Sequence, residues 1–394
     1  MTPDKPRSGP ARCPHFPACG GCTALNLPYS EQLGIKRRTL VDLFGGLTDS
    51  IPPLVATPQP YYYRHKVQLP FGYEGKKGGL TLGCYALDSH KVVNQKTCLI
   101  QDRDCSTVAW SVRKWAKQTG MTVYNDRTAK GFLRHVLLRK AAATGEILVG
   151  LVTNGARIEG SRQLARLLLS TIEEESLSSG RVVGIVQNVN TRDTNVVLGN
   201  EEHIWWGRPF IKEKLGEWSF RIGLSTFFQI NPFQTPALYN EVLRHIPSRA
   251  RVLDCYCGVG SISLWISRAA ESVAGIEENH SSVQAARVSA SINKVKNVSF
   301  HVGDVSAELP RLSRQGYTCA VFDPPRKGLA PELPSIIASS SIERIIYVSC
   351  NPHTLRRDTE LLAPSFRLVS IQGVDMFAHT DHIECVALFD RIVR

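Results

Sequence analysis

Two side chains near the end of the chain have the types that covalent chemistry needs. Cys350 sits in Ser349-Cys350-Asn351-Pro352, at the end of a short apolar run over residues 344–350. A cysteine at the carboxyl end of a central strand faces a ligand cleft rather than the core, and as thiolate it is a nucleophile. A helix beginning near His353, with arginines close by, is expected to favour that thiolate. Glu384, in His382-Ile383-Glu384-Cys385-Val386, puts a carboxylate into an otherwise apolar strand, where it can act as a general base. Cys255, Cys257, Cys319 and Cys385 carry no such signal and are expected to be small core residues.

A second set of side chains is spaced for binding. The run over residues 251–257 leads into Asp254-Cys255-Tyr256-Cys257-Gly258-Val259-Gly260-Ser261, whose glycines let the backbone turn tightly and approach a ligand. A dinucleotide fingerprint needs a third glycine at position 263, where Ser263 stands, so NAD is disfavoured. The next run ends in Glu277, 19 residues past Gly258 and suited to accept hydrogen bonds from ribose hydroxyls. Asp304 ends the third run, and the fourth leads into Asp323-Pro324-Pro325-Arg326. Acids at successive strand ends also serve as helix caps, but four together, with no phosphate cradle, suit S-adenosylmethionine. A nucleophilic cysteine, a carboxylate base and a methyl donor point to methylation of uracil at C5. Thiolate addition at C6 makes C5 nucleophilic enough to take the methyl group, a base removes the C5 proton, and the thiolate leaves.

These residues need a scaffold that presents strand ends side by side. After about residue 233, apolar runs at 251–257, 272–278, 298–304, 319–325 and 344–350 alternate with helical stretches such as 281–293. That rhythm predicts an α/β fold with a doubly wound, mostly parallel, Rossmann-like sheet, followed by strands near 367–374 and 383–390. Before it, strands are expected at 67–71, 81–87, 132–139, 147–153, 181–189 and 195–198, with helices at 105–119 and 160–175. A helix over 29–47, with Ser30 as N-cap and Gly45-Gly46 as its end, follows a turn-rich segment holding Cys13, Cys19 and Cys22. Three parts are expected: a cysteine-rich segment with its helix (1–59), a β-rich central domain (60–232) and the α/β domain (233–394).

The net charge is +12, and the excess is local: residues 51–140 hold 15 basic and 5 acidic side chains. A one-sided basic segment suits a nucleic-acid partner as well as a plain solvated surface. Arg64, Lys66, Arg134, His135 and Arg139 are the candidate RNA contacts. No apolar run is long enough for a membrane helix, and residues 1–16 have no apolar core of a signal peptide, so a cytoplasmic location is expected. In that compartment the 11 cysteines stay reduced, which favours metal, cluster or catalytic roles for some of them.

Phe227-Phe228-Gln229-Ile230-Asn231, the Asp254 loop, Asp323-Pro324-Pro325-Arg326-Lys327-Gly328, Ser349-Cys350-Asn351-Pro352 and His382-Ile383-Glu384 come in a characteristic order and spacing. In them the chain resembles the RNA uracil-5 methyltransferases over essentially its whole length. The resemblance implies a class I methyltransferase domain that uses S-adenosylmethionine to form 5-methyluridine in tRNA or in large-subunit rRNA. It implies Cys350 as nucleophile and Glu384 as the base for the C5 proton. Gln229, Tyr256, Ser261, Glu277, Asp304 and Asp323 fall at the family's cofactor-contact positions, and Phe227 where an aromatic lies near refolded RNA. Cys13, Cys19, Cys22 and Cys98 resemble the branch that binds a [4Fe–4S] cluster, with zinc as the rival metal. Cys84 and Cys105, near in sequence, leave the fourth ligand open. That branch makes 23S rRNA the expected substrate, ahead of tRNA, and a monomer the expected state. The chain begins almost at the first cysteine, so no N-terminal RNA-binding (TRAM) barrel is expected. Ala378 stands where relatives carry proline, and Ser261 where asparagine is common. The alternative from another class is a non-catalytic RNA-binding or assembly protein, which would need neither Cys350 nor Glu384.

Overall fold

The computed structural model describes residues 13–75, 78–157, 159–194 and 196–392. The segment expected to lack a signal peptide lies largely outside them. The chain divides into two compact units. One holds the chain up to Pro28 with Pro60–Lys214 and Arg221–Ser225; the other holds Tyr29–Gln59, Leu215–Phe220 and the chain from Thr226 onward.

The first helix, α1 (Tyr29–Phe44), was expected to belong with the cysteine-rich segment, but its contacts put it in the second unit. Leu40 and Phe44 are fully buried in that unit's core. A Cβ at Gly45 would lie 2.7 Å from the Val41 carbonyl oxygen, which accepts the Gly45 N–H, so glycine closes the helix.

The first unit is built on β1 (Lys66–Tyr73), β2 (Leu80–Leu82), α2 (Arg103–Gln118), β3 (Leu133–Lys140), β4 (Glu146–Thr153), α3 (Ser161–Glu173), β5 (Arg181–Val189) and β6 (Glu201–Gly207). The strands form one sheet in the order β2-β1-β3-β4-β5-β6. Only β4 and β5 are parallel, and α3 is the crossover that parallel neighbours require. Trp115, Val108 and Val112 of α2 pack with Leu168 of α3 in this unit's core. The strand expected at 195–198 begins at Asn195, outside the described residues, and 196–198 are irregular; the strand there is β6, whose one buried residue is Trp205. A two-stranded ribbon of β7 (Phe210–Leu215) and β8 (Trp218–Gly223) follows.

The second unit continues with α4 (Thr235–Arg244), β9 (Arg251–Cys255), α5 (Ser261–Ile266), β10 (Ser272–Glu277), α6 (His280–Ile292), β11 (Val298–Val302), α7 (Val305–Ser313), β12 (Cys319–Phe322), α8 (Leu333–Ala338), β13 (Arg344–Ser349), α9 (Pro352–Leu362), β14 (Phe366–Val374) and β15 (Glu384–Arg391). Its sheet runs β11-β10-β9-β12-β13-β15-β14. The strands from β11 to β13 are mutually parallel, but β15 is antiparallel to both of its neighbours. The sheet is therefore mixed, because β14 and β15 form a hairpin and a hairpin reverses direction. Chain order reverses on either side of β9, which opens a crevice beyond the carboxyl ends of β9 and β12. Among the described residues no helix is long and apolar enough to cross a membrane.

Candidate active site

The cofactor end of the crevice forms at four strand ends. Beyond β9 the backbone turns through three positive φ angles, Tyr256 (65°), Gly258 (53°) and Gly260 (74°). A Cβ at Gly260 would meet the Phe300 ring at 2.7 Å, so this turn needs glycine. Glu277 accepts the Gly258 N–H (3.1 Å) and the Asn279 N–H (2.8 Å), tying the β10 end to the turn. Asp304 is exposed and its Oδ1 caps α7 by accepting the Ser306 N–H (2.8 Å), so it has at least this structural duty. Ser261, first in α5, is buried against the Tyr239 hydroxyl (2.8 Å). Gln229 is buried just before α4, and Tyr256 packs partly buried against the core.

Asp254 and Asp323 dominate the electrostatics. Asp254 is fully buried; its Oδ2 accepts from Ser263 Oγ, and its Oδ1 has no partner. Burial pushes it up to about 7, against the Ser263 hydrogen bonds. Asp323, just past β12, is also pushed up to about 7, by burial and then by Asp254. An unpartnered buried carboxylate oxygen beside a second reluctant carboxylate suits a cationic ligand, and Glu277 suits a ribose. The donor set therefore fits S-adenosylmethionine, a sulfonium with an ammonium group.

The reacting end lies where β13 and β15 meet. Their register pairs Ser349 with Cys385, so one step further sets Cys350 opposite Glu384. Glu384 is buried, and burial followed by the Asp323 charge pushes its carboxyl well above the usual range, with Arg326 opposing. Cys350 is partly exposed, and its thiol is pushed up to about 11 by burial and by Glu384 and Asp323. This corrects the expected thiolate. Helix α9 does start there, capped by Asn351, but the facing carboxylates outweigh Arg326. The pair nevertheless has the parts for nucleophilic addition followed by proton removal, and a raised carboxyl is the stronger base.

One residue that holds this geometry gave no signal in the sequence. Asp358, fully buried in α9, accepts the Leu329 N–H (2.8 Å) and the Tyr347 hydroxyl (2.6 Å). It anchors the loop from Asp323 to Gly328, where φ is +78° and a Cβ would lie 2.4 Å from Asp358 Oδ2. Thr354 Oγ1 donates to the Arg326 carbonyl (3.3 Å), and Arg326 Nη2 meets His382 Nδ1 at 2.9 Å.

In the first unit, Cys19 Sγ accepts from Gln95 Nε2 (3.1 Å) and Gly21 N (3.4 Å) and is hydrogen-bonded to Cys84, which lowers its thiol to about 6. Cys13, Cys19 and Cys98 all bear electrostatically on Cys22, which burial and they together push up to about 12. Five sulfurs thus share one neighbourhood, with the Arg64 charge beside them. Cys105 is apart, fully buried in the α2 core. Among the described residues no group of three or more His, Cys, Asp or Glu side chains is arranged to hold a metal ion.

Of the expected RNA contacts, Arg134 and Arg139 are buried, whereas Arg64, Lys66 and His135 are half-buried. Strand β3 is buried at every position but His135, so both its faces are covered. Arg134 donates to the Asn190 carbonyl (2.7 Å), Arg139 donates to the Leu224 carbonyl (3.1 Å), and burial pushes His135 down to about 4. Lys66 falls to about 8 through burial and Arg139. Phe227 is 56% exposed.

Residues 226–392 match the family model described as tRNA (uracil-5-)-methyltransferase. An RNA methyltransferase from Leptospira interrogans, not itself characterised, is 44% identical over 96% of this chain and 98% of its own length. One from Clostridium tetani is 37% identical over 98% of this chain and 84% of its own. Among solved structures, the Pyrococcus abyssi tRNA (uracil-54, C5)-methyltransferase bound to S-adenosyl-L-homocysteine superposes with a TM-score of 0.76 at 27% identity, covering 95% of this chain and 86% of that one. With the class I fold and strand-end acids described above, these likenesses make the chain an S-adenosylmethionine-dependent RNA methyltransferase of the uracil-5-methyltransferase family.

Proposed function

We propose that the protein forms 5-methyluridine in RNA, with Cys350 as nucleophile and Glu384 as base. The observation that carries this reading is the Cys350–Glu384 pair on opposed strand ends beside the acids at Asp254 and Asp323. Cys350 adds to C6 of a uridine flipped out of its stack, S-adenosylmethionine supplies the methyl group to C5, Glu384 takes the C5 proton, and the sulfur leaves. Gln229, Tyr256, Ser261, Glu277, Asp304 and Asp323 are assigned to the cofactor. Phe227 is assigned to the RNA, where an exposed ring can stack on a base.

The assigned substrate is 23S rRNA, acted on by a monomer in the cytoplasm. The reading rests on the cysteines, with Cys13, Cys19, Cys22 and Cys98 as ligands of a [4Fe–4S] cluster. What supports it is the resemblance in the number and spacing of these cysteines; the described side chains, as they stand, do not form a metal site. A tRNA substrate is the second reading, because the Pyrococcus relative is a tRNA methyltransferase.

The test is a trap. Fluorine at C5 cannot be removed as a proton, so 5-fluorouridine-substituted RNA should leave a covalent adduct on a denaturing gel. Large-subunit rRNA fragments and tRNA are tried with wild type and with Cys350→Ala. An adduct that survives Cys350→Ala overturns the mechanism, and the RNA that reacts decides between substrates. Iron, sulfide and zinc assays on anaerobically purified protein decide the metal.

A further inference from the structure

The loop between β14 and β15, residues 375–383, carries the chain to Glu384. Loops ordinarily run over the surface, because buried backbone needs partners. This one is buried at Asp375, Met376, Ala378, His379 and Thr380. Its partners come from α1, more than 330 residues earlier. Lys36 Nζ donates to Asp375 Oδ1 (2.7 Å) and to the Phe377 carbonyl (3.0 Å). Gln32 Oε1 accepts the His379 N–H (2.9 Å), and Gln32 Nε2 meets His379 Nδ1 at 3.0 Å. Tyr29 donates its hydroxyl to Asp375 Oδ2 (2.6 Å). Tyr29, Gln32 and Lys36 follow at i, i+3 and i+7, one face of the helix. His379 has φ +66°, which a side chain other than glycine keeps only where its surroundings hold it. It lies five residues before Glu384.

A buried ion pair adds little stability over an apolar pair of the same shape, whereas it fixes geometry. We propose that Gln32 and Lys36 are positioning residues that set the base loop, so that Glu384 meets the C5 proton. This rests on the function proposed above. Cys350 is carried by β13, which α1 does not hold through these bonds, so nucleophilic addition is independent of them. The two steps should therefore separate. Addition and methyl transfer proceed in the variants, but proton removal is slow, and the methylated RNA stays on Cys350.

The test compares wild type, Lys36→Met, Gln32→Met and Gln32→Glu in single turnovers with ordinary uridine RNA. Covalent protein–RNA complex and released product are followed on a denaturing gel. Wild type releases product without accumulating complex. Lys36→Met and Gln32→Met should form complex at the wild-type rate and release it about 100-fold more slowly, the cost of a misplacement near 1 Å. Gln32→Glu keeps the acceptor for the His379 N–H and should release it faster than Gln32→Met. Parallel loss of complex formation and product, in variants with wild-type circular dichroism, would mean a merely structural role. Wild-type release in all of them would overturn the inference equally. Should Lys36→Met fail to fold, the Gln32 pair decides alone. If wild type forms no adduct even with 5-fluorouridine RNA, it is the proposed function that fails.

Discussion

The thiol of Cys350 titrates at about 11 rather than 9.0, because it is buried and faces the Glu384 and Asp323 carboxylates. At pH 8 a thiol of that kind is about 0.1% thiolate, against about 9% for the ordinary value. Its thiolate is more nucleophilic, by about 8-fold for a pKa two units higher, which leaves a net reactivity roughly tenfold below an unperturbed thiol. The assay is iodoacetamide alkylation of the free protein, followed for the Cys350 peptide by mass spectrometry in brief pH jumps from 7 to 10. The rate should climb about tenfold per pH unit without levelling, since the thiolate fraction still grows below the pKa. Glu384→Gln removes one cause of the raised thiol and should increase the rate at pH 8, while burial, the larger cause, remains. A plateau below pH 9 in wild type would refute the electrostatic reasoning and restore the helix N-terminus as the dominant influence.

Four further outcomes concern stability. Gly328→Ala forces a side chain to φ +78°, with its Cβ 2.4 Å from Asp358 Oδ2, and should lower unfolding free energy in urea by about 1–3 kcal/mol. Trp115→Ala empties the core of the first unit and removes the Nε1 bond to the Leu164 carbonyl, costing about 3–5 kcal/mol in the same assay. Lys140→Met leaves Asp102 and Asp104 buried without their cation and should cost about 3–5 kcal/mol. Burial opposes ionisation of Asp104, but Lys140 and the Ser178 and Ser179 N–H groups outweigh it and lower its pKa. Its ionised form therefore stabilises the protein above the unfolded value and ceases to as pH falls below about 4. Asp104→Asn should remove that part of the acid sensitivity of the urea midpoint.

The strand–helix alternation after residue 233 was legible because parallel strands buried on both faces leave short apolar runs between helices. Strand direction was not: the run at 383–390 reads alike whichever way it lies in the sheet, and the antiparallel placement of β15 brings Glu384 to the end of the sheet where Cys350 stands. β6 is not legible in the sequence because this edge strand, Glu201–Gly207, buries one residue and shows no alternation. Arg134 and Arg139 read as surface charge because nothing local reports that β3 is covered on both faces. The sequence around Cys350 shows the helix start but neither the burial of the thiol nor the carboxylates that face it. Allegiance of α1 to the second unit comes from partners far along the chain, such as Asp375 for Lys36, which no periodicity within the helix could announce.

That last contact also orders events during synthesis. Lys36 leaves the ribosome 339 residues ahead of Asp375, an interval of about 17–70 s at ordinary elongation rates. Throughout it, α1 has an apolar face, a lysine and a glutamine but no loop to hold, while the β-rich unit between them can already fold. The nascent chain must therefore keep its first helix unspent until almost its last residues emerge. A ribosome that stops before β14 would release a protein with one finished unit and no site.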